Sequence, residues 1–134
     1  MARKLSLKGA KKKADKAWSL AIRRKKYCEI CGREANQPHH YIGRKNYTMR
    51  FDPRNGVLLC YTHHVGGRHS AHGDVEWFRL WFKENRPEDL EYIIKNKEKK
   101  IKRLVEDYVK IAEELNDEEI NTCSNCFLIR GIVG

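Results

Sequence analysis

The sequence predicts an α+β fold in which a small β-hairpin, stapled by cysteine-containing turns, is flanked by N-terminal and C-terminal helices. The length of 134 residues suits one domain with a modest core. Two short apolar runs separated by turn-forming residues predict the hairpin, and apolar residues spaced three and four apart on either side of it predict the helices. We therefore expect a single domain over residues 10–116 with its core at about 27–73, preceded by an arm (1–9) and followed by a tail (117–134).

The first helix is predicted by alanines and a tryptophan at helical spacing. Residues 1–9 carry basic side chains and end at Gly9, which is typical of a flexible basic arm. From Ala10 to about Lys25, apolar residues recur every three or four positions with lysines and arginines between them. The apolar side of this helix consists of Ala10, Ala14, Ala17, Trp18 and Ala21.

Positive charge is concentrated at the N-terminus. Residues 1–26 hold 11 of the 28 Lys and Arg residues and one of the 18 Asp and Glu residues, so they account for the whole formal net charge of +10. Such a block is either a solvated, solubilising segment or a contact for a polyanion. A nucleic-acid site elsewhere in the chain would favour the second interpretation.

Turn residues predict where the hairpin lies. The apolar runs His39–Ile42 and Val57–Leu59 are predicted as antiparallel strands. The segment between them, GRKNYTMRFDPRNG, contains the Asp-Pro and Asn-Gly pairs that mark turns. The hairpin therefore has a long, basic connection, and a further helix is expected to begin near Cys60.

Three more helical segments are predicted after Cys60. Asp74 is a suitable N-cap for a helix to about Glu84, and Pro87 at a first helical position opens the next one. The first of these should bury Trp77, Phe78, Trp81 and Phe82. An apolar stripe predicts a long last helix and indicates core packing or, alternatively, a dimer seam. The stripe consists of Ile101, Leu104, Val105, Tyr108, Ile111, Ala112 and Leu115.

Two knuckle sequences supply four candidate metal ligands. The turn YCEICG places Cys28 near Cys31, with Gly32 supplying the unusual backbone angle, and CYTHH places Cys60 three residues before His63. Structural zinc takes four Cys or His ligands in a tetrahedron, and two knuckles of two ligands each supply that geometry. We predict a structural zinc site formed by Cys28, Cys31, Cys60 and His63, with His64 as the alternative fourth ligand.

A second centre is predicted from two pairs of adjacent histidines. Neighbouring residues on a strand point to opposite faces, so His39 and His40 would address different groups, one a metal ion and the other a water or substrate. Neighbours on a helix diverge by about 100°. His63 and His64 therefore also face different centres: one histidine closes the zinc knuckle, and the other can reach a second metal ion.

The order of these motifs resembles the HNH endonuclease family. The family order is C-x-x-C, then His-His, Asn and C-x-x-H-His, and the tract HHYIGRKNYTMRFDPRNGVLLCYTHH follows it over residues 39–64. With the Cys28/Cys31 knuckle the match covers about half of the chain. KADKAWSLAIRRKKYCEICG and RFDPRN also resemble phage NinG-type recombination proteins and small phage-encoded HNH nucleases. The resemblance implies a ββα-metal core and metal-dependent DNA phosphodiester hydrolysis.

The resemblance also implies catalytic roles for four residues. His39 and His64 would bind one catalytic divalent ion, for which Mg, Mn, Ni, Co and Zn all remain open. His40 would be the general base that takes a proton from the attacking water. Asn55 would hydrogen-bond across the hairpin and hold the segment that carries His40.

In many relatives a further metal histidine follows on the helix. Here the sequence VGGRHSAHG offers His69 and His72 at unusual spacing. His72 is preferred because it lies just before the helix capped by Asp74, which is a rigid mounting point. The predicted ligands of the catalytic ion are therefore His39, His64 and His72.

DNA is the partner that this function implies. Its phosphates would be held by Lys and Arg side chains, which makes binding salt-dependent. The predicted contacts are Arg23 and Arg24 near the end of the first helix and Arg44, Lys45, Arg50 and Arg54 in the hairpin connection. Since no long base-reading element is visible, we expect weak sequence specificity. Further partners would be phage packaging or recombination proteins, and the chain would be a monomer or a weak homodimer.

The remaining features bear on location and on a rival function. No run of 18 apolar residues and no secretory signal is present, so we expect a cytoplasmic protein without a membrane partner. Five cysteines argue against a closed disulfide framework, and Cys123 and Cys126 would be spare thiols, zinc ligands or a disulfide. The rival function is a non-catalytic zinc-knuckle DNA-binding or adaptor protein, which needs the cysteines but not the four residues assigned to catalysis.

Overall fold

The fold is a small mixed α+β arrangement around a two-stranded antiparallel hairpin, seen in a computed structural model that describes residues 4–117. Strand β1 (Gln37–His40) pairs with β2 (Gly56–Leu59) in a register that places His39 opposite Val57 and His40 opposite Gly56. The predicted hairpin is confirmed, but β1 begins and ends two residues earlier than the predicted run His39–Ile42. Every residue of β2 is buried, whereas every residue of β1 is half-buried. The strand that carries the adjacent histidines is therefore the one with side chains near the surface.

Helix α1 (Leu7–Arg23) precedes the hairpin and begins earlier than predicted. Ser6 is its N-cap, and the Ser6 hydroxyl accepts a hydrogen bond from the backbone N–H of Gly9 at 3.0 Å. Such a cap satisfies one of the free N–H groups of the first turn. Residues 7–9, which we predicted as part of a flexible arm, are therefore helical. The predicted apolar side is confirmed and gains one member, so that the buried residues are Ala10, Ala14, Ala17, Trp18, Ala21 and Ile22.

Helix α4 (Val105–Asn116) packs against α1 and is shorter than predicted. Ile101 and Leu104 lie before it and are exposed, so the prediction that they belong to the same stripe is wrong. The physical reason is the lysine-rich sequence from residue 95 to 102, where like charges three and four apart disfavour a helix. Of the stripe from Tyr108 onward, Tyr108, Ala112 and Leu115 are buried and Ile111 is half-buried against them, which confirms core packing.

Two helices cover the other side of the hairpin. Helix α2 (Val75–Asn85) is capped by Asp74, whose carboxylate accepts from the N–H of Trp77 at 3.1 Å, and α3 (Pro87–Asn96) begins at the predicted proline. Phe78 and Phe82 are buried against β2, as predicted. The other two aromatic residues predicted to be buried, Trp77 and Trp81, are only half-buried. Among the helices within residues 4–117, none combines the length and the apolarity needed to cross a membrane.

The helix predicted near Cys60 is a single wide turn. It spans Thr62–Gly66, and the N–H of Gly67 donates to the carbonyl of Thr62 at 2.7 Å, five residues back. Close packing favours glycine at both of the last positions, because a Cβ at Gly66 would collide with the ring of Tyr61 and a Cβ at Gly67 with the carbonyl of Thr62. The chain then folds back on the turn, which is what brings residues 71 and 72 beside residues 63 and 64.

Candidate metal centres

Three cysteines and one histidine form the first group, as predicted. The Sγ of Cys31 lies 3.7 Å from the Sγ of Cys60, and the Nδ1 of His63 lies 3.4 Å from the Sγ of Cys60 and 3.9 Å from the Sγ of Cys28. Bond lengths of about 2.3 Å to sulfur and 2.0 Å to nitrogen in a tetrahedral zinc site give separations of about 3.8 Å between sulfurs and 3.5 Å between sulfur and nitrogen. The observed separations match these, so the four residues could hold a metal ion of that kind.

The first knuckle is built by its backbone. Gly32 has a φ of +77°, and its N–H donates to the carbonyl of Cys28 at 2.9 Å, which closes the turn that aligns Cys28 with Cys31. Burial on its own would raise the pKa of the Cys28 thiol, but backbone N–H groups of Cys31, Cys60 and Ile30 hold it below its usual range. These backbone bonds thus favour the thiolate of Cys28, which is the form that binds a metal ion.

Three histidines form the second group. His39 lies on β1, His64 on the wide turn and His72 on the returning loop, and their candidate ligand nitrogens all lie within 4.8 Å of one another. The Nε2 atoms of His64 and His72 are 3.1 Å apart. Two nitrogens bound to one tetrahedral ion at about 2.0 Å each would be about 3.3 Å apart. This group could therefore also hold a metal ion.

The returning loop explains why His72 and not His69 joins the group. The N–H of His72 donates to the carbonyl of His64 at 3.0 Å, which sets the two residues side by side. His69 lies elsewhere: its ring stacks on Trp77 with centroids 5.2 Å apart, and its Nδ1 is 3.6 Å from the carboxylate of Asp74. The sequence preference for His72 agrees with this arrangement.

Gln37 orients His64 and was not predicted from the sequence. Its side-chain oxygen lies 2.7 Å from the Nδ1 of His64. Because an amide oxygen only accepts, Nδ1 carries the proton, and Nε2 keeps its lone pair for a ligand. Gln37 precedes His39 by two residues and so shares its face of β1, which is the signal that could have identified it.

Burial favours the neutral form of two histidines in the second group. Burial, reinforced by His72 and His64, lowers the pKa of His39 to about 3, and burial also lowers the pKa of His64. His39 and His64 therefore offer lone pairs instead of positive charges. They face an open cleft of about 670 Å³. Within residues 4–117 the lining of this cleft includes Arg44 and Lys45 but no Asp or Glu.

His40 lines the same cleft but does not join the three histidines. Its Nε2 lies 2.9 Å from the carbonyl oxygen of Arg50. Since a carbonyl only accepts, Nε2 carries the proton, and in the neutral ring Nδ1 keeps a lone pair. The pKa of His40 is lowered, mainly by burial. His40 is thus a neutral imidazole with a basic nitrogen at the edge of a candidate metal site.

Asn55 is completely buried and ties the two ends of the connection together. Its Oδ1 accepts from the N–H of Ile42 at 2.7 Å, and its Nδ2 donates to the carbonyls of Ile42 at 2.9 Å and Met49 at 3.1 Å. The backbone N–H of Tyr41 in turn donates to the carbonyl of Asn55 at 2.9 Å. The segment directly after His40 is held to the start of β2 by these bonds, as the predicted role of Asn55 requires.

Four of the six predicted DNA contacts are exposed. Arg23, Arg24, Arg44 and Lys45 all lie on the surface, and Arg44 exposes 64% of its side chain at the cleft. Arg24 also donates to the carbonyl of Leu115 at 2.8 Å. Because Arg44 and Lys45 are exposed beside the cleft, they are the best placed of the six predicted residues to contact an anion there.

Arg50 and Arg54 are engaged inside the protein, which speaks against the phosphate contacts predicted for them. Arg54 is 5% exposed, pairs with Asp52 through two hydrogen bonds of 2.9 and 2.7 Å, and lies 3.4 Å from the ring centroid of Tyr92. Arg50 exposes 13% of its side chain and binds Asp15 through bonds of 2.9 and 2.6 Å. Both guanidinium groups hold the connection in place instead.

Comparison with known proteins gives no family for this chain. No protein-family model, no curated protein and no solved structure matches it. Cys123 and Cys126 lie outside the described residues. What the geometry of residues 4–117 supplies is two groups of side chains that could each hold a metal ion.

Proposed function

We propose that this chain is a zinc-stapled, metal-dependent endonuclease of the HNH type that hydrolyses DNA phosphodiester bonds with weak sequence specificity. One observation carries the proposal: a neutral imidazole with a free Nδ1 lone pair, His40, lines the same cleft as the three converging histidines. A hydrolase needs such a base beside a metal site with open positions. A protein that only bound DNA would need neither.

The order of elements supports a ββα-metal core. The hairpin supplies one metal histidine and the base from adjacent positions on β1, and the helical turn after β2 supplies His64. Adjacent strand residues face opposite sides, so His39 and His40 approach the cleft from different directions. The three cysteines and His63 would bind a structural zinc ion, which staples the turn that carries His64.

The residues then divide the chemistry as follows. His40 would accept a proton at Nδ1 from the attacking water, while its Nε2–H stays on the carbonyl of Arg50. A divalent ion held by the three histidines would supply neutralisation of the charge that develops on the leaving 3′ oxygen. The products would carry 5′ phosphates and 3′ hydroxyls. An all-nitrogen ligand set suits Zn, Ni or Co better than Mg, which prefers oxygen ligands.

Charge supports DNA as the substrate. Arg44 and Lys45 line the cleft, and Arg44 contacts Asp15 of α1 at 3.3 Å, so the polar side of α1 adjoins the cleft mouth. That helix exposes Lys8, Lys12, Lys13 and Lys16. A phosphate backbone in the cleft would therefore lie beside Arg44 and Lys45 and near the lysines of α1. From the sequence resemblance we further infer the biological process, which is phage DNA packaging or recombination in the host cytoplasm.

Plasmid cleavage by the purified protein tests the proposal. Reactions contain Mg, Mn, Ni, Zn or EDTA and compare the wild type with His40→Ala and with His69→Ala, a histidine outside the metal group. We expect metal-dependent nicking or linearisation that His40→Ala loses and His69→Ala keeps. If His40→Ala cleaved DNA at the wild-type rate, His40 would not be the general base. If no variant cuts but all retard DNA in a salt-sensitive way, the protein is the zinc-knuckle adaptor instead.

A further inference from the structure

We propose that Trp18 and Asp15 of α1 are positioning residues for His40, so that the N-terminal helix is part of the hydrolytic site as well as a basic surface. The inference rests on the proposed function. It adds two residues that the motif order does not contain. Both project from one side of α1, since they are three residues apart on a helix.

Trp18 fixes the plane of the His40 ring. The indole and the imidazole are stacked, with ring centroids 3.8 Å apart and planes within 6° of parallel. The indole cannot turn, because its Nε1–H donates to the carbonyl of Asp52 at 2.9 Å and the residue is 3% exposed. One face of the imidazole is therefore closed to water, and its edge remains for the reaction.

Asp15 holds Arg50, whose backbone carbonyl determines which nitrogen of His40 is protonated. Arg50 uses its carbonyl to accept from the Nε2 of His40 and its guanidinium to bind the carboxylate of Asp15 at two points. Arg50 belongs to the connection between the strands, which has little regular structure of its own. The ion pair holds this carbonyl in place against α1. The stack thus sets the plane of the ring, and the carbonyl sets which nitrogen keeps the lone pair.

A purely structural role for Trp18 makes a different prediction. Trp18 also belongs to a core cluster that contains Ile22, Leu58 and Leu115. If it served only that cluster, activity would fall only as stability falls. Leu115 is the matched control, because it is completely buried in the same cluster but lies on α4.

Kinetics of the full-length protein with saturating metal separate the two roles. The variants are Trp18→Leu, Trp18→Phe, Asp15→Asn and Leu115→Ala, each with its denaturation curve. Because a misplaced catalytic group costs up to about 100-fold in rate, we expect Trp18→Leu to lower kcat about 10- to 100-fold with KM within about 2-fold. Trp18→Phe should recover most of the loss, Asp15→Asn should lower kcat about 3- to 10-fold, and Leu115→Ala should lose stability but keep kcat within about 2-fold.

Two results would overturn the inference. The first result is that kcat falls in proportion to the loss of stability in Leu115→Ala, as it does in Trp18→Leu. The second result is that Trp18→Phe is no more active than Trp18→Leu while Asp15→Asn leaves kcat unchanged. Asp15 is half-buried, and its replacement by Asn is the milder change. Either would make Trp18 an ordinary core residue.

A readout without catalysis keeps this test apart from the proposed function. Nitrogen-15 NMR of the imidazoles reports which nitrogen of His40 is protonated. We expect the Nε2–H form in the wild type, Trp18→Phe and Leu115→Ala, and a mixture of the two forms in Trp18→Leu and Asp15→Asn. An inactive wild type with this NMR pattern would refute the nuclease but keep the positioning. A uniform Nε2–H form in all five proteins would refute the positioning.

Discussion

Asn55 is hydrogen-bonded to the backbone of Ile42 in both directions. Its amide oxygen accepts from the Ile42 N–H at 2.7 Å, and its amide nitrogen donates to the Ile42 carbonyl at 2.9 Å. A second bond from the same nitrogen reaches the carbonyl of Met49 at 3.1 Å. This completely buried side chain therefore adds three hydrogen bonds to the backbone bond from the Tyr41 N–H to the Asn55 carbonyl, which extends the pairing beyond His40.

Replacing Asn55 by Leu should destabilise the protein and abolish cleavage. The change removes the Asn55 partner of the N–H and the carbonyl of Ile42, whereas the Met49 carbonyl still accepts from the N–H of Asp52, and each buried unpaired group costs about 1–3 kcal/mol. We expect a loss of about 3 kcal/mol in the free energy of unfolding, measured by urea denaturation. Asn96→Ala is the control: its Nδ2 donates to the carbonyl of Tyr92 four residues earlier in the same helix, so it should lose less than about 1.5 kcal/mol and keep cleaving. A loss below about 1 kcal/mol for Asn55→Leu would contradict this account.

Replacing Cys28 by Ser should remove the structural metal and disturb the second site with it. Cys28 is the most buried ligand, and His63 and His64 are neighbours on one short turn. A turn of this length has little stability without its metal, since metal binding supplies much of the folding free energy of such sites. We expect the bound zinc, measured by atomic absorption, to fall from two ions per chain towards none.

The control for the cysteine experiment is the double variant Cys123→Ser with Cys126→Ser. Four ligands are already assembled from Cys28, Cys31, Cys60 and His63, so the tail cysteines should be dispensable. This protein should keep both ions and the sulfur-to-metal absorption bands of its cobalt form. Loss of an ion here would make the tail a zinc donor.

Local signals explain what could be predicted from the sequence. The Asp74 cap, the helix start at Pro87 and the turn at Gly32 each depend on residues within a few positions of one another, and all three are present. The two metal groups were also predicted, because fixed spacings such as C-x-x-C and alternation along a strand determine which side chains share a face.

The contacts that could not be predicted join distant parts of the chain. Trp18 meets His40 across 22 positions, and Asp15 meets Arg50 across 35. No periodicity encodes such pairs, because they depend on how α1 packs against the connection. The surroundings of Arg54 could not be predicted for the same reason: the sequence shows a basic residue beside the candidate site, and only the fold shows Asp52 and Tyr92 around it.

A paired comparison of arginines should separate DNA contacts from internal ion pairs. We expect Arg44→Ala with Lys45→Ala to weaken DNA binding and to reduce the slope of log K against log salt concentration by up to about 1.8, since each phosphate contact contributes about 0.9. Stability should change little, because both side chains are exposed. Arg54→Ala should do the reverse, leaving the salt slope unchanged and destabilising the protein by about 3 kcal/mol as a broken buried pair. Fluorescence anisotropy at several salt concentrations measures both slopes, and a reduced slope in Arg54→Ala would restore it as a DNA contact.

Acid should destabilise the protein through His39. Its pKa is about 6.5 in the unfolded chain and is lowered to about 3 in the folded protein by burial and by the neighbouring histidines His72 and His64. Between these two values the unfolded chain holds a proton that the folded protein does not. The stabilising difference is therefore complete above pH 6.5 and is lost as the pH falls towards 3, by up to about 1.4 kcal/mol per pH unit. Bound metal strengthens the effect, because protons compete with it for the same nitrogens.

His39→Gln isolates this contribution. Urea denaturation at pH 7.5 and 5.5, with zinc present throughout, should show a smaller loss of unfolding free energy in the variant than in the wild type, by about 1 kcal/mol. His69→Gln is the matched control, because its side chain is 57% exposed and lies outside the histidine group, and it should behave as the wild type does. An identical pH dependence in the wild type and His39→Gln would show that His39 is not held neutral by burial. The cleft would then repel a cation at mildly acidic pH, and a different set of ligands would have to be sought for the catalytic ion.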